Sequence, residues 1–361
     1  MSVNVILCSR NGEEYLREQI DSILKQTDPD VRLLISDDAS TDGTQEIEKE
    51  YAERFPERVR IHFRRVPSGS AERHFFLALK QYAGTGSKEA ANSGAGQYYM
   101  FADQDDVWHP DKVEKTLAAM REAEGTEEKT GAAIPIAVHC DMRVVDEEGQ
   151  EIAPSYVKYQ QMSPERCGLN QLLVQNNVTG GAMMMNDALV RIILSRPLPR
   201  HAVMHDHWIA LAAAAFGKVI FLDEALYDYR QHGTNVLGAA KGSRVREVLD
   251  RLGLFRKDGK SKEEMDRHSA SVYKNLFRQA SEFGRLYGSP AGADCKGSSF
   301  GAEYKELPAG GDVVLAPEQR QMLLSFVSLQ NMNRAQKIAT ILKYGFTFNR
   351  LHRTAGECIF L

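Results

Sequence analysis

The chain has 361 residues, 43% hydrophobic and 26% charged, which is enough apolar material for a sizeable core and enough length for two domains. A formal net charge of −4 argues against wholesale nucleic-acid binding, although not against a local basic patch. The cysteines, Cys8, Cys140, Cys167, Cys295 and Cys358, are scattered and odd in number without a Cys-x-x-Cys pair; no disulfide framework or zinc site is signalled, and a reducing cytoplasm is the expected setting.

Residues 3–8 form an apolar run too short for a signal peptide, and no stretch approaches the roughly 18 apolar residues of a membrane-spanning helix. A soluble or peripheral protein is expected. The run reads instead as a buried strand. Asn11 is the expected cap of a helix, with Glu14 completing a capping box and Leu16, Ile20, Ile23 and Leu24 on one face. A second strand follows over 31–36, then a helix start bracketed by Asp42 and Gln45, then strands over 59–63 and 98–102. Pro110 opens a helix with Val113, Leu117 and Met120 on one face. The Gly/Ser/Ala-rich stretch 83–96 and the charged stretch 122–130 read as surface insertions. Beyond them come strands over 136–139, 181–185 and 219–222, a turn at 147–149, and a helix over 206–216 closed by Gly217. Strands alternating with helices imply parallel pairing and an α/β sandwich. From about residue 241 the signals become helical, over 244–255, 262–287 and 317–329, with a loop over 288–311. A boundary near 240 is expected.

Three acidic clusters carry the chemistry. Asp37 and Asp38 stand at the C-terminal end of a strand, the edge where open α/β sheets bind ligands; there an Asp either accepts from a nucleobase imide or caps the next helix. Asp103, Asp105 and Asp106 fall within four residues in an apolar setting. Such mutual repulsion is costly unless a hard divalent cation sits among the carboxylates and bridges them to a diphosphate. Asp206 precedes an apolar helix between His205 and His207; on spacing alone it is a cap.

The ordered set of segments closely resembles glycosyltransferase family 2, and in particular its bacterial rhamnosyltransferase-like members. The matching pieces are Cys8-Ser9-Arg10-Asn11-Gly12 with Tyr15-Leu16, Ser36-Asp37-Asp38-Ala39-Ser40-Thr41-Asp42 and Asp103-Gln104-Asp105-Asp106-Val107-Trp108. Asn177-Val178-Thr179-Gly180-Gly181, His205-Asp206-His207-Trp208 and the segment from Tyr229-Arg230-Gln231-His232 to Val236 complete it. Arg10 departs from the pattern, standing where Tyr or Phe usually precedes Asn-Gly. The resemblance covers roughly residues 1–240 and implies a GT-A nucleotide-diphospho-sugar transferase sandwich, with 241–361 as a mainly helical C-terminal region. By resemblance, Asp38 recognises the base, Ser9 lies near the nucleotide and Asp103 contacts the donor's ribose side. Asp105 holds Mn²⁺ or Mg²⁺, Asp106 is a second ligand or a first-turn carboxylate, and Asp206 is the catalytic base. His232 contacts metal or phosphate, or is a loop histidine. Gly180 lets backbone approach the donor or acceptor closely, or marks a bulge. Trp208 stacks on a sugar or fills the core.

The activity so implied is inverting transfer of a sugar from a nucleoside-diphosphate donor to a hydroxyl acceptor in bacterial surface polysaccharide assembly. The expected donor is dTDP-rhamnose or a UDP-hexose, and the acceptor a saccharide or lipid-linked saccharide. A non-catalytic nucleotide-sugar-binding module is the alternative. A metal-dependent nucleotidyltransferase is disfavoured, because 9–14 holds one glycine and soon turns acidic. Residues 331–356 contain no acid but five basic residues among apolar ones, which suits either peripheral contact with an anionic membrane or a basic-faced helix packed on the main domain.

Overall fold

The computed structural model describes residues 2–83, 97–125, 133–232, 262–289 and 313–347. A nine-stranded sheet runs through the described residues in the strand order β3-β2-β1-β4-β8-β6-β9-β5, with β7 paired on β6. Its first half is β1 (Val3–Ser9), β2 (Val31–Asp37), β3 (Val59–Phe63) and β4 (Tyr98–Ala102), all parallel. Every residue of β1 is buried, as expected of a central strand covered on both faces. Helices α1 (Leu16–Leu24), α2 (Thr44–Arg54) and α3 (Ala71–Ala83) connect these strands; α3 adds to the expected set.

The second half is mixed, not purely parallel. It comprises β5 (Val107–Trp108), α4 (Lys112–Gly125), β6 (Ile136–Val145), β7 (Glu151–Ala153), α5 (Tyr156–Gln160), α6 (Leu169–Leu172), β8 (Met183–Asn186), α7 (Asp187–Leu194), α8 (His205–Phe216) and β9 (Lys218–Arg230). β8 runs antiparallel to both β4 and β6, while β6 and β9 are parallel. β6 and β9 are 10 and 13 residues long, far beyond their apolar cores. Their extensions carry Asp141, Arg143, Asp228 and Arg230, whose charges hide a strand from any hydrophobicity pattern. Residues 180–182 form a 3₁₀ turn, so the strand expected from Gly181 begins at Met183.

The start of α1 corrects the capping expectation. The helix begins at Leu16, and Asn11 lies in a left-handed turn at φ 50°. Its side chain accepts the Thr41 N–H at 2.9 Å, and Glu13, not Glu14, accepts the Gly43 N–H at 2.6 Å. The loops after β1 and β2 are thus clasped together.

The C-terminal helices α9 (Lys262–Tyr287) and α10 (Pro317–Ser328) follow the expected spans, and α11 (Arg334–Tyr344) adds to them; the pattern over 244–255 lies outside the described residues. Phe277, Phe283, Tyr287, Phe326 and Phe346 share one apolar cluster with Phe75, Phe101, Met183 and Trp208. The opposite face of the sheet is covered by α1, α2 and α4 through Ile20, Ile47 and Val113. Trp208 is core: it is buried and meets Phe283 edge-on at 5.1 Å. No helix among the described residues is long and apolar enough to cross a membrane.

Gly217 joins α8 to β9 where the backbone passes against Pro135, and a Cβ at 217 would overlap the Pro135 carbonyl. Gly217→Ala should lower the unfolding free energy by about 1–3 kcal/mol, the usual penalty of overpacking. Urea denaturation checks this; an unchanged midpoint would show that the junction yields freely.

Candidate functional site

The site is built along the C-terminal edge of β1, β2 and β4. Ser9 ends β1, but its hydroxyl points inward and donates to Glu48 Oε1 at 2.5 Å. Glu48 has no exposed surface, and burial pushes its carboxyl up to about 8, with the nearby Asp37 and Asp42 charges adding to the effect. Asp38, buried just past β2, accepts from Arg64 Nε at 3.1 Å, the Ser68 N–H at 2.7 Å and the Ser68 hydroxyl at 2.7 Å. Two carboxylate oxygens offer about four acceptor positions, so capacity for a further donor remains.

The second cluster follows β4. Gln104 clamps the Arg10 backbone from both sides, accepting its N–H at 2.7 Å and donating to its carbonyl at 3.2 Å. Gln19, buried on α1, donates to the Asp103 carbonyl at 2.8 Å. Arg230, at the end of β9, donates to the Asp105 carbonyl, to the Glu147 carbonyl and to Glu18, with its guanidinium 5.0 Å from the Tyr15 ring centre. The turn is therefore fixed by contacts to its backbone that leave the carboxylates of Asp103, Asp105 and Asp106 out of these bonds. His232 Nε2 lies 2.7 Å from Asp105 Oδ2, which brings together two of the expected ligands. Asp103 is raised to about 7 by burial and by the charges of Asp105 and Asp206, against the pull of Lys112. Asp106 is raised by burial and by Asp105 and Asp103. The Lys112 charge and a weak hydrogen bond from the Arg230 backbone N–H oppose the shift, but neither oxygen makes a hydrogen bond of ordinary geometry among the described residues.

Lys112 is the residue that sequence reasoning missed. It has no exposed surface; its Nζ donates to the Gly181 carbonyl at 2.6 Å and lies 3.7 and 3.9 Å from the ring centres of Trp108 and Tyr227. Burial brings its pKa down to about 8, although Cys140, Asp106 and Asp103 favour the cation. The available signal was a lysine two residues after a helix-opening proline, directly behind three acids.

Asp206 sits in the first turn of α8, one residue inside it, while Met204 holds the cap position without a side-chain bond. Its carboxylate accepts from Gly180 N–H at 2.9 Å, Asn176 Nδ2 at 2.9 Å and its neighbour His207 N–H at 2.5 Å. Burial still dominates and lifts it to about 7. Gly180 and Gly181 form the hinge of the arrangement. A Cβ at Gly180 would strike the His205 ring, and one at Gly181 would lie 3.3 Å from Asp106 and 3.4 Å from Asp103. Backbone without side chains is what allows Asp206, Asp103 and Asp106 to converge.

Helix α9 braces the segment that carries Asp206. Gln279 accepts from the Val203 N–H at 2.7 Å and donates to His207 Nδ1 at 3.2 Å, while His207 Nε2 donates to the Leu172 carbonyl at 2.5 Å. Glu282 accepts the N–H groups of Arg200 and His201. Arg196 donates to the carbonyls of Leu286 and Val313.

The donor set suits a hard cation in part. Asp105 and His232 are adjacent and Asp106 has oxygens without a hydrogen bond of ordinary geometry, yet no group of three metal-ligating side chains is preassembled among the described residues. Magnesium-type sites commonly take one or two carboxylates and complete their shell with water and substrate phosphate, so the residues fit an ion that arrives with its diphosphate.

The raised Asp206 pKa has a sign. Folding favours the protonated form between the ordinary 3.8 and about 7, so stability falls as pH rises through that window and levels off above it. Asp206→Asn removes this contribution and the part of the Asp103 shift that the Asp206 charge supplies, while Glu48 keeps its own. The loss of stability between about pH 4 and pH 7 should therefore be smaller in the variant, read from urea midpoints at each pH. An equal pH slope would show that the Asp206 carboxylate is not strained by burial.

Residues 4–126 match the sequence pattern described as Glycosyl transferase family 2. An uncharacterized glycosyltransferase of Nostoc sp. is 24% identical over 264 residues, covering 70% of this chain and 72% of that protein. The dTDP-rhamnosyl transferase RfbG of Shigella flexneri is 33% identical over 115 residues, covering 31% of this chain and 35% of that one. Among solved structures, S. aureus TarS 1–349 in complex with UDP-GlcNAc aligns over 94% of this chain and 89% of its own at 17% identity. Its TM-score is 0.48, too loose to place any residue. The acidic edge after β1, β2 and β4 lies within the segment, residues 4–126, that is similar to glycosyl transferase family 2.

Proposed function

We propose that the protein is an inverting, metal-dependent glycosyltransferase that moves a sugar from a nucleoside-diphosphate donor to an acceptor hydroxyl. The observation that carries this reading is the convergence of Asp103, Asp106 and Asp206 around Gly180–Gly181, with Asp105 on the same turn and against His232. Asp38 would receive the imide N–H of the base through its remaining acceptor capacity, and Ser9 would support the loop from behind. Asp103 would meet the ribose side of the donor. Asp105 and His232 would hold Mn²⁺ or Mg²⁺, which when bound supplies Lewis-acid neutralisation of the departing diphosphate. Asp206 would take the proton of the acceptor hydroxyl. A carboxylate near 7, fixed by Gly180 and Asn176, is suited to that transfer at neutral pH. Attack opposite the leaving group inverts the anomeric carbon.

The donor reading is dTDP-rhamnose or a UDP-hexose, supported by the likeness of 31% of the chain to a dTDP-rhamnosyl transferase. The chain spans only 35% of that relative. The acceptor reading is a saccharide or lipid-linked saccharide of a bacterial surface polysaccharide, met in the cytoplasm at the inner face of the membrane.

Two variants test the roles separately. Asp206→Asn should keep donor and metal affinity while transfer falls about 10²–10⁴-fold, the usual worth of a general base. Near wild-type turnover would remove Asp206 as the base. Asp105→Ala should stay folded and lose the metal-dependent part of donor binding by titration calorimetry; unchanged Mn²⁺-dependent affinity would take Asp105 out of the metal site.

A further inference from the structure

The last described helix, α11, has two unlike faces. Ile341 is buried and turns the helix onto the body of the protein, where Phe346, just beyond it, packs on Phe326. Away from that contact, Ala335, Ile338, Ala339 and Leu342 are exposed. Their spacing of three, four and seven puts them on one stripe, and Leu342 is 74% exposed. Arg334 precedes Ile338 by one turn and Lys343 follows Ala339 by one turn, so a basic side chain borders the stripe on either edge. Both ends of the helix are fixed: Asn333 caps the first turn by accepting the Gln336 N–H at 3.0 Å, and Gly345 closes the last at φ 67°. The stripe is thus part of a formed helix.

Exposed aliphatic side chains bordered by lysine or arginine are disfavoured in water and favoured at a lipid interface. There the apolar side chains enter the acyl boundary and the basic heads remain with the phosphates. Charge supports the same partner. Residues 331–356 contain no Asp or Glu but include Arg334, Lys337, Lys343, Arg350 and Arg353, in a chain whose net charge is −4. None of Arg334, Lys337 and Lys343 is in an ion pair among the described residues. A second copy of the chain fits less well, because a symmetric contact would bring these cations face to face.

We infer that α11 is the docking face of the protein for an anionic phospholipid surface, with Ile338 and Leu342 inserted and Arg334 and Lys343 on the lipid phosphates. This deepens the reading of a membrane-side acceptor but is read independently of it. The helix lies in the interface and does not span the membrane.

The full chain is sedimented with vesicles of phosphatidylcholine alone or of equimolar phosphatidylcholine and phosphatidylglycerol. Wild type should pellet with the anionic vesicles and be released by salt. The exposed-face variant Ile338→Gln/Leu342→Gln should bind about tenfold more weakly with an unchanged melting transition. Arg334→Gln/Lys343→Gln should also bind more weakly and lose most of the salt sensitivity. Both should transfer sugar to a soluble acceptor at the wild-type rate, so pelleting reads the docking face and transfer reads the reaction. Absence of wild-type pelleting, or equal pelleting of wild type and the Ile338/Leu342 variant, overturns the inference. So does a wild-type dimer that the same variant makes monomeric without any lipid binding.

Discussion

The structure depends on one electrostatic constraint, the gathering of Asp103, Asp105, Asp106 and Asp206 in a region where water is largely excluded. Buried charge of one sign is costly and must be neutralised by protons, cations or hydrogen bonds. All three means are used. Asp103 and Asp206 are raised to about 7, so protonation relieves part of the repulsion. Asp206 is held by three donors. Lys112 opposes the cluster as a buried ammonium, lodged between Trp108 and Tyr227, where the faces of the two rings attract it.

Much of the local architecture follows from placing that ammonium. Its Nζ donates to the Gly181 carbonyl, and the adjoining Gly180 N–H donates to Asp206. One short 3₁₀ turn thus joins the cation to the proposed base, and its lack of side chains lets both reach it. Arg230 acts in the same sense from the far side. By binding backbone carbonyls of Asp105 and Glu147, it fixes the acidic turn without consuming the carboxylates. The carboxylate oxygens left over are the ones the proposed cation and diphosphate would meet.

The parts of this that were legible in the sequence share a physical character. Apolar runs such as 98–102 and the acids directly behind them declare themselves, because a buried strand needs unbroken hydrophobicity and a charged loop after it is conspicuous. β6 and β9 were read only at their apolar ends, since Asp141, Arg143, Asp228 and Arg230 continue the strands with charges paired across the sheet. Arg143 with Asp228 is one such pair. Asn11 misled because a residue suited to capping is equally suited to a left-handed turn, and only the partner loop at Thr41 decides between them. Lys112 was illegible because nothing local distinguishes a lysine aimed into a core from one on a solvated helix face. The clasp of Gln279 on Val203 and His207 joins residues more than seventy positions apart, and no motif announces it.

That clasp ties the motif-free C-terminal helices to the segment that carries the proposed base. A carboxylate hydrogen-bonded by three donors would ordinarily titrate low; Asp206 titrates near 7 because burial outweighs those bonds. The burial is not supplied by the sheet alone. Trp208, two residues on, is packed against Phe283 and Tyr287 of α9, and the approach to α8 is held by Glu282 at Arg200 and His201 and by Gln279 at Val203. Without α9 this approach would lose the acceptors of three backbone N–H groups, and the start of α8 would open to water. Solvation would then let the hydrogen bonds prevail and drop the Asp206 pKa toward the ordinary carboxylate range, which would weaken it in its proposed role as a base. The α/β sheet therefore supplies the acids, while the helices behind it supply the desolvation that tunes one of them.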